Sequence, residues 1–296
     1  MPLHGLILAG EGSSIRGDAP SKDHYNSDIQ GDRKMQKKVK AVWMAAGLCA
    51  AFQVFAGDTL RFGLESQYPP FESRNTQGQP VGFDIDLGNA VCKAAHLKCQ
   101  WVESSFDALI PALEAKKFDA INSAMNITAQ REKIIDFTVP VYRIPSMLVA
   151  RKGLNLQVTA EGLQGKNVGV LQGSIQEAYA KKHWETHGVN VVSYQDQNQV
   201  YNDMVAGRLD ATLVMSAAGQ SGFLNKPEGK DFAFAGKPVE DDAILGTGIG
   251  FGLRKGDTAL KQQLDTAIET VKKDGTLTRL AARISRGSMS TSNPDS

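Results

Sequence analysis

The chain predicts an α/β architecture of two lobes, each a mostly parallel sheet flanked by helices, joined by two hinge strands. Three observations carry that expectation. Strand-like and helix-like segments alternate from Thr59 onward, the pattern of parallel strands linked by covering helices. The same alternation starts afresh at Val168–Leu171, after the loop Gly162–Lys166. A stretch also repeats: Leu113-Glu-Ala-Lys-Lys-Phe-Asp-Ala-Ile121 and Met204-Val-Ala-Gly-Arg-Leu-Asp-Ala-Thr212 each join a helix end, basic residues and a strand opened by Asp-Ala.

Each element follows from local pattern. Thr59–Gly63 reads as a strand, Tyr68-Pro69-Pro70-Phe71 as a turn, Asp86–Ala95 as a helix and Lys98–Val102 as a strand. Ser105–Lys116 reads as a helix capped by Ser105, with Leu109 and Leu113 on one face, and Phe118–Asn122 as the next strand. Beyond Val168–Leu171 come a helix over Gln176–Thr186 and a strand over Val189–Tyr194. Gly246-Thr-Gly-Ile-Gly-Phe-Gly252 has a period of two, which suits a strand or hinge crossing with close backbone approach. It lacks the strand-then-helix setting of a nucleotide loop. Leu260, Leu264, Ala267, Ile268 and Val271 form a helical stripe that stops at Gly275, and a second short helix carries Leu277, Leu280 and Ile284. Ser285–Ser296 is small and polar and reads as a disordered tail. Ligands of open α/β sheets bind beyond the carboxyl ends of the strands, so Ser123–Asn126 and Val214–Ser216, just after the repeats, should face a common cleft.

The ends and the composition bound the setting. With 296 residues, 42% of them apolar, the chain can bury two cores. Its 33 basic and 32 acidic residues are interspersed, leaving no footprint for nucleic acid or an anionic membrane. Met35-Gln-Lys-Lys-Val-Lys40, the apolar run Ala41–Phe55 and the small residues around Ala56 make a secretory signal peptide over 35–56, cleaved near Ala56. Leu48 is too large for the position before a lipidated cysteine, so Cys49 is not a lipid anchor. Residues 1–34 are polar and aperiodic and read as a non-native or misassigned, disordered extension. Loss of the signal leaves Cys92 and Cys99 as an even pair in an oxidising compartment, which favours a disulfide over two buried thiols. Seven residues of unbroken helix would separate them by about 10 Å, so a disulfide requires the helix to end near His96-Leu97.

Chemistry-bearing motifs are few. His183 and His187 have the spacing of two metal ligands, but Lys181, Lys182 and Glu185 surround them and no third ligand is evident, so a solvated helix face is expected. No nucleophile elbow, zinc-protease motif or phosphate-loop lysine is present, so no catalytic residue, metal or cofactor is expected. Arg131 follows Asn126-Ile-Thr128 at a helix start, where free N–H groups and a guanidinium can jointly hold a carboxylate. Tyr68 and Phe106 each follow a strand, where an aromatic plate can pack against an aliphatic or cationic side chain.

Gly82-Phe83-Asp84-Ile85-Asp86-Leu87, Arg131 and Gly169-Val170-Leu171-Gln172-Gly173-Ser174, read together, resemble the amino-acid-binding proteins of ABC importers. This is the bacterial solute-binding protein family 3, with the type II periplasmic-binding fold, and the lysine/arginine/ornithine- and histidine-binding branch is nearest. The resemblance runs from about Asp58 to Ile284 and implies a monomeric periplasmic trap that delivers a polar amino acid or derivative to an inner-membrane permease with its ATPase. Lobe 1 would be 58–143 plus 245–284, and lobe 2 would be 144–244. A carboxylate for the ligand's distal group falls on Glu65, the aromatic plates on Tyr68 and Phe106, and the α-carboxylate anchor on Arg131. Polar strand-end positions fall on Ser123, Ala124 and Asn126, and the second lobe's loop on Leu171, Ser174, Ile175 and Gln176. Where relatives hold the ligand ammonium with an aspartate, this chain has Met215, and the serine that helps is Ala124. The resemblance therefore implies a ligand that keeps its carboxylate but has a blocked, displaced or inverted amine, an opine or a D-amino acid. Two other readings share the fold: a ligand-presenting sensor subunit, and a periplasmic cyclohexadienyl-type dehydratase with Glu65 as its acid.

Overall fold

The computed structural model describes residues 59–289, which lie within one compact unit, Ala56–Ser296. The extension over 1–34, the signal peptide over 35–56 and the end of the tail fall outside the described residues. In chain order the first lobe has β1 (Thr59–Leu64), a hairpin of β2 (Ser73–Arg74) and β3 (Pro80–Val81), α1 (Phe83–Ala94), β4 (Lys98–Glu103), α2 (Leu109–Glu114), β5 (Ala120–Ile121), α3 (Ala129–Glu132) and β6 (Ile135–Phe137). The second has β7 (Ser146–Arg151), β8 (Asn167–Leu171), α4 (Ile175–His183), β9 (Asn190–Tyr194), α5 (Gln197–Val205), β10 (Ala211–Met215), α6 (Ser216–Gly219) and β11 (Phe232–Ala235). The chain returns through α7 (Asp242–Leu245) to β12 (Gly252–Arg254), then α8 (Thr258–Lys273) and α9 (Thr276–Met289).

Two five-stranded sheets result, ordered β4-β1-β5-β12-β6 and β11-β7-β10-β8-β9. Each is mixed, with fewer parallel pairs than the alternation suggested. Parallel pairs join β1 to β4 and β5, and β8 to β9 and β10. The antiparallel pairs involve β12 and β7, the strands the chain enters from a lobe crossing, where no βα connection fixes their direction. The crossings lie side by side: Val141 N donates to Ile249 O at 2.7 Å, and Ile249 N donates to Tyr142 O at 2.8 Å. Gly246 must be glycine here, since a Cβ would lie 2.0 Å from Ile127 O at a φ of +77°.

The repeated stretch builds the same device twice. Lys116 and Gly207 both turn left-handed after their helices, and Lys117 N and Arg208 N donate back to Ala112 O and Asp203 O. Asp119 then accepts from Arg61 N at the start of β1, and Asp210 accepts from Asn167 N at the start of β8. Each lobe thereby ties its third helix-linked strand to its first.

Several boundaries differ from expectation: β5 is only Ala120–Ile121 of the expected Phe118–Asn122, and α4 runs Ile175–His183 where Gln176–Thr186 was expected. α1 begins at Phe83 rather than Asp86, because Phe83 N and Asp84 N donate to Pro70 O and Phe71 O of the preceding turn. The helix over Ser105–Lys116 opens as a 3₁₀ turn, and Ser105 makes no side-chain cap. α9 continues to Met289, past Ile284 where the apolar stripe ends. Cys92 and Cys99 form a disulfide with a Cα separation of 5.9 Å, and His96, left-handed at φ 57°, stops the helix between them.

Candidate functional site

The carboxyl ends of β1, β5, β8 and β10 meet across the two lobes, and side chains from all four regions close on one cavity. Its walls are Tyr68, Phe106, Ala124, Asn126 and Arg131 from one lobe and Leu171, Ser174, Ile175, Gln176 and Met215 from the other. In this closed arrangement the cavity is about 10 Å³, room for roughly one water molecule. Any larger solute enters only when the lobes part.

Arg131 is the centre of the site. Thr128, extended at the start of α3, accepts from Arg131 N through its hydroxyl and caps the short helix. The guanidinium donates from Nη1 to Asn126 O at 2.8 Å and from Nη2 to Gly173 O of the other lobe at 3.0 Å. Phe106 lies over it, 5.5 Å from Cζ to ring centroid. Burial pushes the Arg131 pKa down to about 10, so it stays charged at neutral pH. A buried cation with donors to spare is what holds a carboxylate. Ser174 caps α4 by accepting from Glu177 N, which presents the N-terminus of that helix to the same cavity.

The other walls set what else is held. Met215 is 4% exposed, and its N–H donates to Tyr68 Oη at 3.3 Å across the lobes. Gln176 Nε2 donates to Ser146 Oγ, and Asn126 Nδ2 to Leu245 O. None of the ten lining residues is acidic. The cavity therefore has a fixed positive charge and no anion on its walls.

Glu65 and Ser123 do not line it. Ser123 Oγ is taken by Glu65 N, from which it accepts, and by Glu72 Oε1, to which it donates. Glu65 is 3% exposed; its Oε1 accepts from Gln67 N, while Oε2 finds no hydrogen-bond partner. Burial pushes the Glu65 pKa up to about 7, and its charge helps to raise that of Tyr68. The histidines serve elsewhere: His183 bonds Asp241 at 2.7 Å, and His187 meets Thr186 Oγ1.

Sequence reasoning missed a supporting layer. Asp84 accepts from Ala124 N at 2.6 Å and from Tyr142 Oη at 2.7 Å, fixing a strand end whose alanine sits left-handed at φ 44° and tying it to a lobe crossing. Burial, with the charge of the neighbouring Asp84, pushes Glu72 well above the ordinary carboxyl range. Asp107 accepts from Gln172 Nε2 of the opposite lobe, and Gln67 accepts from Asn198. A Cβ on Gly173 would lie 2.9 Å from Asp107 Cα. The Gly82–Leu87 motif was legible as a resemblance, but its spacing gave no sign that Asp84 reaches Ala124.

Known proteins share this construction. The model of bacterial extracellular solute-binding proteins, family 3, matches residues 60–285. The chain is 47% identical to a lysine/arginine/ornithine-binding periplasmic protein and 43% identical to a histidine-binding periplasmic protein, both of Escherichia coli (strain K12), each over 84% of this chain and 96% of the relative. Among solved structures, an ancestral arginine-binding protein bound to arginine superposes with a TM-score of 0.71 at 32% identity, covering 76% of this chain and 97% of that one. An ancestral amino-acid-binding protein that is a precursor of cyclohexadienyl dehydratase superposes with a TM-score of 0.67 at 28% identity, covering 76% and 94%. With two mixed sheets, paired crossings and a cavity lined from both lobes, and with the family's pattern matched across residues 60–285, the chain belongs to the bacterial extracellular solute-binding proteins of family 3.

Proposed function

We propose that this protein is the periplasmic solute-binding component of an ABC-type amino-acid importer, closing its lobes over an amino-acid derivative and presenting the closed form to a membrane permease. The observation that carries this reading is Arg131, a buried guanidinium between the lobes that already bonds Gly173 O across the cleft. A ligand carboxylate at that position would link both lobes and favour closure. The similar proteins named for lysine, arginine, ornithine and histidine support an amino-acid ligand, and their names support a periplasmic location.

The ligand's amine is where this chain parts from them. The cavity walls hold one cation and no anion, and Met215 stands where the family resemblance implies an aspartate. An ammonium buried there without a charged partner would lose about 2–5 kcal/mol, a large share of the roughly 8 kcal/mol of micromolar binding. A carboxylate ligand whose amine is inverted points it away from Met215, and one whose amine carries an anionic substituent brings its own partner, so either reduces that loss; a cationic distal group reaching the unpaired Glu65 Oε2 fits the Tyr68 end. The test is thermal unfolding of the purified, refolded protein against L- and D-amino acids and N-substituted amino acids. A binder raises stability by roughly 2.7 kcal/mol at a hundredfold excess over Kd. Arg131→Ala should weaken any such ligand roughly a hundredfold or more; retention of the shift in that variant would remove Arg131 as anchor.

A second reading, a cyclohexadienyl-type dehydratase, is favoured by Glu65, whose raised pKa of about 7 suits a general acid. It predicts turnover of cyclic amino-acid precursors in a product assay that Glu65→Gln abolishes, whereas a binding protein gives none.

A further inference from the structure

The turn Gln172–Ser174 carries the second lobe's contact with Arg131, and a side chain that does not line the cavity supports it from behind. Gly173 O accepts from Arg131 Nη2 at 3.0 Å across the cleft. Gly173 N donates to Glu177 Oε2 at 2.6 Å within the second lobe. Glu177 stands in the first turn of α4, where its N–H donates to Ser174 Oγ at 3.1 Å. Its other oxygen, Oε1, accepts from Lys181 Nζ at 2.8 Å and from Ser193 Oγ of β9. On the same strand Tyr194 O accepts from Gln172 N. Burial works against an ionised Glu177, but the bonds from Lys181, Ser193 and Gly173 N outweigh it and hold the carboxyl below its ordinary range. At neutral pH it is therefore an anion that grips the turn from inside the lobe.

Position 173 needs such a grip. It sits at a φ of +75° with no room for a Cβ against Asp107. A free glycine visits both signs of φ, so fixing it only as the lobes close would cost more entropy than fixing any other residue. We propose that Glu177 is a positioning residue for the ligand site, its carboxylate holding Gly173 N so that Gly173 O meets Arg131 on closure. The inference rests on the reading of the Arg131 cavity as the amino-acid site, and Glu177 acts on that site through Gly173 without touching ligand. The property required is an oxygen acceptor. Glu177→Gln can supply one, because its amide nitrogen can face Ser193 Oγ, which accepts as well as donates, while Lys181, 46% exposed, turns to water. Glu177→Ala leaves Gly173 N without that partner.

The test is calorimetric titration of L-arginine and D-arginine into the refolded wild type, Glu177→Gln and Glu177→Ala, with amide hydrogen exchange across residues 172–174 of the ligand-free proteins. The enantiomer that binds the wild type more tightly should bind Glu177→Ala at least about tenfold more weakly and Glu177→Gln within about threefold of the wild type. Exchange across the turn should quicken in the alanine variant alone. Rescue by glutamine separates this role from a general weakening of α4, because both variants lose the ion pair with Lys181. Undiminished binding by Glu177→Ala, or equal losses in the two variants, overturns the proposal. If neither enantiomer binds the wild type, the amino-acid reading fails and exchange alone judges Glu177: a turn as protected in Glu177→Ala as in the wild type overturns its role, and faster exchange in that variant alone upholds it.

Discussion

Glu65 shows how a single buried group links stability to ligand binding. Burial raises its pKa from 4.5 to about 7, so as pH rises from about 4.5 the unfolded chain releases its proton while the folded protein keeps it. Folded stability is therefore full at low pH and is lost as pH rises through 7, by about 2–3 kcal/mol for this residue. Denaturant melts at pH 5 and pH 8 should show that loss, and Glu65→Gln should remove most of it; an equal loss in the variant would mean that Glu65 titrates normally. A cationic ligand group at Glu65 Oε2 reverses the preference, so binding of an arginine-like ligand should release a proton and weaken roughly tenfold between pH 8 and pH 6. At this scale the sequence was most informative where a residue type is demanding. Arg131, Tyr68 and Phe106 were legible because each stands near a strand end or helix start at a position where the family resemblance implies a ligand contact. Asp84, Glu72 and Asp107 were not, because a buried carboxylate and an exposed one look the same in a sequence.

Among the elements, α1 carries the most constraints. Its start is held by the Tyr68–Phe71 turn, its end by His96, and its length is bounded by the Cys92–Cys99 disulfide. That bridge closes a short loop and should contribute about 2–3 kcal/mol on the chain-entropy model. Replacing both cysteines with alanine should lower unfolding stability by that amount without abolishing ligand binding, as read by chemical denaturation; no change would mean that the αL stop at His96 already fixes the turn. The even pair of cysteines and the need to end the helix between them made this element legible. The 3₁₀ opening before α2 was not, because Pro111 permits a helix start at several positions in its first turn and the packing of Phe106 against the site decides among them. The antiparallel entries of β7 and β12 depend on where the chain crosses between lobes, which local periodicity does not encode.

For the whole molecule, function is closure of two lobes that specific hydrogen bonds join across the cleft: Arg131 to Gly173, Tyr68 to Met215, Gln172 to Asp107 and Asn198 to Gln67. Gly173 is the tightest point, at a φ of +75° with no room for a Cβ against Asp107. Gly173→Ala should leave each lobe folded but weaken ligand at least about tenfold and remove the ligand-induced contraction seen by small-angle scattering; normal contraction would show that the loop can move aside. The repeat at Leu113–Ile121 and Met204–Thr212 made the two-lobed plan readable, since each copy ends at the cleft. The degree of closure was not readable, because it depends on contacts between residues 42 to 147 positions apart, from Arg131–Gly173 to Tyr68–Met215. The most direct test of the central claim, an amino-acid cavity without a charged partner for the amine, is calorimetric titration of L-arginine into the refolded wild-type protein and into Met215→Asp. Weak binding by the wild type and a gain of roughly thirtyfold or more in the variant, about 2 kcal/mol, is the predicted result. Submicromolar binding of plain L-arginine, L-lysine or L-histidine by the wild type would contradict it.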